Sequence, residues 1–134
     1  MMSFVDSVRL CLSDKYFTFS GRASRSEFWW FYLASVLVLM VCAVGEGVVL
    51  ALYKEEGGMI YLLLLLLLVM AMLALVIPSI AVSVRRLHDT GRSGWWYLLN
   101  FVPYVGGIVL LVFFLLPSDP NENEYGVPFT DPEI

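Results

Sequence analysis

Val84-Arg85-Arg86-Leu87-His88-Asp89-Thr90-Gly91-Arg92-Ser93-Gly94-Trp95-Trp96 is a short polar stretch set between two long apolar runs, and its reading decides the fold. It carries three of the eight basic residues and the only histidine of the chain. On its N-terminal side Met59 to Val84 includes an unbroken leucine run from Leu62 to Leu68, and on its C-terminal side Trp95 to Leu116 is again mostly apolar. About 20 apolar residues are enough for a helix to cross the hydrocarbon core of a bilayer. A basic segment between two such runs is expected as a turn at a membrane surface, over residues 85–94. The expected fold class is an all-α integral membrane protein.

Composition agrees. Of 134 residues, 60% are hydrophobic, and the mean hydropathy of +0.80 is too apolar for an ordinary soluble domain of that size. The formal net charge of −4 says less than the distribution of charge, because Asp119, Glu122, Glu124, Asp131 and Glu133 lie in a tail without a single Lys or Arg. Nucleic acid is therefore not an expected partner.

Working outward, three transmembrane helices are expected at about residues 28–52, 59–84 and 95–116, together making a membrane domain over 28–116. A segment over 1–27 precedes them, and an acidic tail over 117–134 follows. Phe4, Val5, Val8, Leu12 and Tyr16 share one face of a helix over residues 3–16, the pattern of a short amphipathic helix lying in the headgroup zone. Ser24 and Glu27 have capping-box spacing, in which each side chain satisfies a backbone N–H at the other residue, so the first spanning helix should begin there. Lys54 to Gly58 should form a polar turn. Pro78 removes one hydrogen bond from the second span and is expected to kink it. Asn100, Pro103, Tyr104, Gly106 and Gly107 interrupt the third span; either small residues let a neighbouring helix approach, or the helix is broken and lines a cavity. The tail should be extended or disordered.

Arg9, Lys15, Arg22 and Arg25 precede the first span, and Arg85, Arg86 and Arg92 lie between the second and third, which places seven of the eight basic residues in these two segments and only Lys54 elsewhere. The positive-inside rule then puts the N-terminus and the 85–94 turn in the cytoplasm, and an odd number of spans puts the tail outside it. Cys11 and Cys42 would sit at different depths, so both are expected to be reduced. The first apolar run is too long for a signal peptide and lacks an Ala-x-Ala site, and Val41 is too bulky for the lipoprotein box suggested by Leu39 to Cys42.

The two cytoplasmic segments echo each other. Gly21-Arg22-Ala23-Ser24 precedes Trp29-Trp30, and Gly91-Arg92-Ser93-Gly94 precedes Trp95-Trp96. Tryptophan suits the headgroup level, having an apolar ring with one N–H donor. If the helices are neighbours, Arg22, Arg25, Arg85, Arg86 and Arg92 converge with Glu27, Asp89 and His88. Three roles for that cluster are open. Arginines paired with Glu27 and Asp89 would cap helix ends; planar guanidinium groups would bind the phosphate of an anionic lipid or the carboxylates of a protein partner; or His88 would act as acid or base, oriented by Glu27 from another helix.

For catalysis there is no nucleophile elbow, no His-Glu-x-x-His, no Walker loop and no paired cysteine ligands, and one histidine makes no zinc site. No metal or cofactor is expected. Asp119, Asn121 and Asn123 have the first spacings of a calcium loop, but Glu124 stands where that loop needs Gly and Thr130 where it closes on Glu. A rival from another class is an oligomeric transporter or channel component using Glu46, Asn100 and the Pro103 to Gly107 break, since three helices are too few to enclose a path alone.

Gly21-Arg22-Ala23-Ser24-Arg25-Ser26-Glu27-Phe28-Trp29, then Arg85 to Trp96, then Asn123-Glu124-Tyr125-Gly126 resemble, in order and spacing, the DUF805 family of small bacterial inner-membrane proteins. The resemblance runs from about Tyr16 to Pro128 and implies a bacterial inner-membrane location with about three helices, but no activity. The family often has a basic residue where Glu124 stands. Tyr125 and Gly126 are expected to fold back on the outer surface. The preferred expectation is non-catalytic binding of an anionic lipid or a protein partner, with Arg22, Arg25, Arg85, Arg86 and Arg92 as contacts, Glu27 and Asp89 holding them, and His88, Trp95 and Trp96 completing the site.

Overall fold

The computed structural model describes residues 1–53 and 58–128. The expected Lys54 to Gly58 turn therefore lies, apart from Gly58, outside the described residues, as do Thr130, Asp131 and Glu133. The described residues are helical and contain no strand: α1 (Phe4–Arg9) with a π-helical continuation (Leu10–Asp14), α2 (Arg25–Tyr53), α3 (Gly58–Asp89), a 3-10 helix (Gly94–Phe101) and α4 (Val105–Leu115).

α2 and α3 are long and apolar enough to cross a membrane, with 29 and 32 residues and mean hydropathies of 2.4 and 3.2 over their most apolar windows. At 1.5 Å per residue each is more than 40 Å long, against about 30 Å of hydrocarbon. From Gly58 to Ile77 no α3 residue is buried, whereas from Ala81 to Asp89 only Val84 is not. α2 likewise buries only Glu27, Phe28, Phe31 and Ser35, all near its start. The molecule is thus packed at its arginine-bearing end, while Leu62, Leu63, Leu66 and Leu67 face outward. Exposed leucine with buried arginine is the reverse of a water-soluble protein and fits a lipid solvent.

The sequence expectation places the end of the second span at 84, but α3 continues through Arg85 to Asp89, and the turn shrinks to four residues. It closes as a Schellman cap: Arg92 N donates to Leu87 O at 2.9 Å, Gly91 N to His88 O at 3.0 Å, and Gly91 supplies the left-handed φ of 75°. Pro78 lies inside α3 and is buried. Its missing N–H would have served the carbonyl of Ala74, and the Tyr16 hydroxyl donates to that carbonyl instead at 2.5 Å. The N-terminal segment therefore does more than rest at the headgroup level. α1 docks on the start of α2, where Met2 N donates to Ser26 Oγ at 3.1 Å and Phe4 meets Trp30 edge-on at 5.8 Å. Ser7 and, in the π-helical continuation, Cys11 are buried, whereas Val5 and Leu12 of the apolar stripe are exposed and Phe4 is only partly covered by Trp30.

The third expected span, 95–116, is not one helix. The 3-10 helix stops at Phe101, and α4 begins after a tight reversal in which Val105 N donates to Pro103 O at 2.7 Å around Tyr104, held at φ 63° and ψ −61°. This is a γ-turn, an uncommon and strained conformation for a residue other than glycine. The 11-residue α4 is only about 17 Å long, roughly half the hydrocarbon thickness. The two arms form a hairpin, because Gly106 sits against Leu99 with no room for a side chain. The chain consequently returns to the end it left: Asp119 N donates to Asp89 O at 2.8 Å. The tail does not lie at the opposite end from the 85–94 turn, as three continuous spans would require. Both alternatives for the Pro103 to Gly107 break are met: the helix is broken, and Gly106 lets the neighbouring 3-10 helix approach at Leu99.

Candidate functional site

The site is built from the last turn of α3, the first turn of α2 with its approach, and the tail. Asp89 lies at its centre. Its Oδ1 accepts from Arg22 Nε at 2.9 Å, and its Oδ2 accepts from Arg86 Nη1 and from Ser118 Oγ at 2.5 Å, with all three charged side chains buried. Two guanidinium groups on one carboxylate leave a local positive charge, and main-chain carbonyls surround it. Arg22 Nη1 donates to Asn121 O at 2.8 Å and Gly126 O at 3.2 Å, and its Nη2 to Asp119 O at 2.5 Å and Asp89 O at 3.2 Å. Arg86 Nε donates to Phe114 O at 3.3 Å, its Nη2 to Leu116 O and its Nη1 to Ala23 O at 3.4 Å. Helix-end carbonyls away from water need donors. Arg22 and Arg86 provide them for α3, α4 and the tail together.

A second pair lies beside the first. Arg85 Nη1 donates to Glu27 Oε1, and both side chains are wholly buried. Ser24 Oγ accepts from Glu27 N at 3.2 Å, so the serine half of the expected capping box forms, but the Glu27 carboxylate turns to Arg85 instead of back to Ser24. Cys11 Sγ is 3.8 Å from both Glu27 Oε1 and Arg85 Nη2. Burial, reinforced by the Glu27 charge, pushes the Cys11 thiol up to about 12, so it is held protonated and unreactive. Cys11 and Cys42 are both free.

His88 is oriented by main chain and by the tail. Its Nδ1 donates to Gly21 O at 3.0 Å, and its ring stacks on Tyr125 at 3.9 Å with parallel planes. Glu27 is engaged by Arg85, so the expected orientation of His88 by Glu27 does not form. Asn123 Nδ2 donates to His88 O at 3.0 Å, and Asn123 and Gly126 exchange main-chain bonds of 3.1 and 3.0 Å in a tight turn. Asn123-Glu124-Tyr125-Gly126 therefore folds back, as expected, but onto the arginine cluster instead of the far surface. Asp119 accepts from Asn121 N at 3.1 Å through its carboxylate, closing an Asx turn.

The echoing Gly-Arg pairs have opposite fates. Gly21 and Gly91 both take left-handed φ values, 84° and 75°. Arg22 turns inward to the carbonyls, whereas Arg92 stays at the rim, its guanidinium 4.2 Å over the Phe113 ring and its Nη1 donating to Thr90 O at 3.2 Å. Arg25, at the start of α2, is exposed and makes no hydrogen bond or ion pair among the described residues. Trp95 is 79% exposed and Trp96 47%. The expected cluster thus divides. Arg22, Glu27, Arg85, Arg86, His88 and Asp89 form a closed interior, and Arg25, Arg92, Trp95 and Trp96 lie outside it, each at least partly exposed. Glu46 lies far along α2 with Oε1 buried and without a hydrogen bond among the described residues. It does not join Asn100, which lines a cavity between α2, α3 and the hairpin.

Sequence reading missed the tail as a contributor to this interior. The signal was present in Asn123-Glu124-Tyr125-Gly126, the third block of the resemblance.

The family model described as a protein of unknown function, DUF805, matches residues 16–127. The chain is 41% identical over 117 residues to the Inner membrane protein YhaI of Escherichia coli strain K12, covering 87% of this chain and 90% of that one. It is 32% identical over 130 residues to the Inner membrane protein YhaH of the same strain, covering 89% and 90%. The Uncharacterized protein YiiR is 35% identical over 94 residues, covering 66% of this chain and 53% of its own length. No solved structure matches the chain. All three blocks that meet at Asp89, from Gly21, from Arg85 and from Asn123, fall within the matched residues, and the chain belongs to the DUF805 family.

Proposed function

We propose that this chain is a non-catalytic inner-membrane protein that holds anionic lipid headgroups at the cytoplasmic surface through Arg25 and Arg92, with Trp95 and Trp96 beside them. The observation that carries the reading is the division of the arginines: Arg22, Arg85 and Arg86 are buried and bonded, while Arg25 is exposed without a partner among the described residues. A planar guanidinium on a half-wetted rim next to tryptophans suits a phosphate diester. Naming of YhaI and YhaH as inner membrane proteins supports the location.

In the Arg25→Gln/Arg92→Gln variant, the phosphatidylglycerol fraction of co-purifying lipid is expected to fall about threefold, corresponding to roughly 0.7 kcal/mol. Thermal stability should change little, because Arg25 makes no bond among the described residues and Arg92 lies half-exposed at the rim. An unchanged lipid profile, measured by mass spectrometry of extracted lipid, would leave the rim without this role.

The same reading gives two crossings, by α2 and α3, with residues 94–116 as a re-entrant helical hairpin and both termini in the cytoplasm. Seven of eight basic residues then lie on the cytoplasmic side. Green fluorescent protein fused after the C-terminus is expected to fluoresce, and alkaline phosphatase fused there to be inactive. An active phosphatase fusion would restore three spans and an extracytoplasmic tail.

A further inference from the structure

Below the arginine cluster a cavity of about 490 Å³ lies between α2, α3 and the hairpin. Phe31, Val82, Leu110 and Phe114 form much of its wall, and its mouth lies between Tyr32 and Val36 of α2 and Leu111 of α4, all three outward-facing. We propose that it holds one acyl chain of a bound anionic phospholipid. This rests on the headgroup reading and deepens it.

Three features select a hydrocarbon chain attached to a phosphate. Two of the hydroxyl groups in the wall are committed within their own helices, Ser35 Oγ to Phe31 O at 2.9 Å and Ser83 Oγ to Ser79 O at 2.7 Å, so neither is held ready for a polar ligand. An apolar cavity of this size is within the range of small-molecule sites. Its mouth is formed by outward-facing residues of spanning helices, where the surrounding solvent is lipid, which supplies acyl chains without any release from water. Arg25 provides the charge complement. It shares one face of α2 with Phe28, Trp29, Tyr32 and Val36, at intervals of three and four residues, so it stands about one turn above Trp29 at the cavity's upper rim. The phosphate meets Arg25, and the chain descends past Trp29 into the cavity. Tyr97 and Asn100, on the hairpin wall, are hydrogen-bonded to each other, so this part of the wall too is satisfied without a polar ligand.

Gly107 provides the test. It lines the cavity, and a Cβ there would meet no atom within 4 Å, so a larger side chain can be added at the cavity wall without displacing its neighbours. Gly47 is a control of the same type: its Cβ also meets nothing, and it lies outside the cavity. Protein reconstituted in vesicles of phosphatidylethanolamine and phosphatidylglycerol is transferred to mild detergent and weighed by native mass spectrometry. Wild type and Gly47→Leu are expected to retain one phospholipid per chain, and Gly107→Leu to retain about tenfold less, a difference of about 1.4 kcal/mol. Should Gly107→Leu fail to elute as a folded species, Val36→Phe narrows the mouth from α2 and is read in the same way. Retention by the folded variant at the wild-type level overturns the cavity site. Arg25→Gln separates the two claims: it should keep a bound lipid and lose the preference for phosphatidylglycerol. If that preference survives while Gly107→Leu still loses lipid, the headgroup reading fails and the acyl site stands.

Discussion

Asp89→Asn is expected to destabilise the protein by about 3–5 kcal/mol, because it removes the only carboxylate that Arg22 and Arg86 hold among the described residues and leaves two guanidinium groups buried together. Asparagine keeps the shape but puts an NH2 donor where one acceptor oxygen stood, against partners that are all donors, so the loss reports charge and hydrogen bonding with packing held nearly constant. Its consequence extends beyond one contact. Arg22 carries carbonyls from Asp119, Asn121 and Gly126, and Arg86 those of Phe114 and Leu116, so displacement of either guanidinium frees the tail and the end of α4 at once. Against a typical total of 5–15 kcal/mol, that is a large share. Thermal unfolding in detergent measures it, together with protease access to the tail, which should rise in Asp89→Asn before α2 and α3 separate. Arg22→Lys is the companion: it keeps the charge and loses the fork that reaches several carbonyls, so it should also release the tail. A variant as stable as wild type, with a protected tail, would mean that the Asp89 cluster does not fasten the three segments.

Gly106→Ala should cost as much as the severe end of core overpacking, about 3 kcal/mol or more, through a different mechanism. A Cβ at Gly106 would lie 1.7 Å from Leu99 O and 2.7 Å from Leu99 C, both main-chain atoms that no rotamer change can move. The hairpin must open for the methyl group to fit. The adjacent Gly107→Ala meets open space and gains helix propensity worth up to about 1 kcal/mol. One methyl group, moved by one residue, is therefore expected to reverse the sign of the effect. Melting temperatures of the two alanine variants decide it; equal values would mean that the 3-10 helix and α4 are not packed against each other as an antiparallel pair.

Much of the fold is legible in the sequence. The apolar lengths of 28–52 and 59–84 alone require two helices of spanning size, because a backbone in lipid must satisfy its own hydrogen bonds. The Ser24 cap and the glycine turns at Gly21 and Gly91 are local, with residue preferences set within four positions of the chain, and they too are readable. The convergence of Glu27 and Asp89 with the arginines was legible only on the condition that the two helix ends are neighbours, which charge and hydropathy do not decide.

The remainder depends on contacts between distant parts of the chain. Residues 95–116 have the length and hydropathy of a span, and hydropathy is blind to direction: a helix that crosses and a hairpin that turns back bury the same side chains in the same solvent. What selects the hairpin is the γ-turn at Tyr104 and the fit of Gly106 against Leu99. The tail has no periodicity because its order comes from donors on other segments, Arg22 and Arg86, reached across intervals as long as 104 residues. The sequence by itself determined that this is a helical membrane protein with its positive charge gathered into two short segments, because hydrophobic length and charge are properties of the residues. Only the tertiary structure decided which arginines are interior clamps and which lie outside the interior, because that choice rests on which carbonyls the folded chain brings within reach.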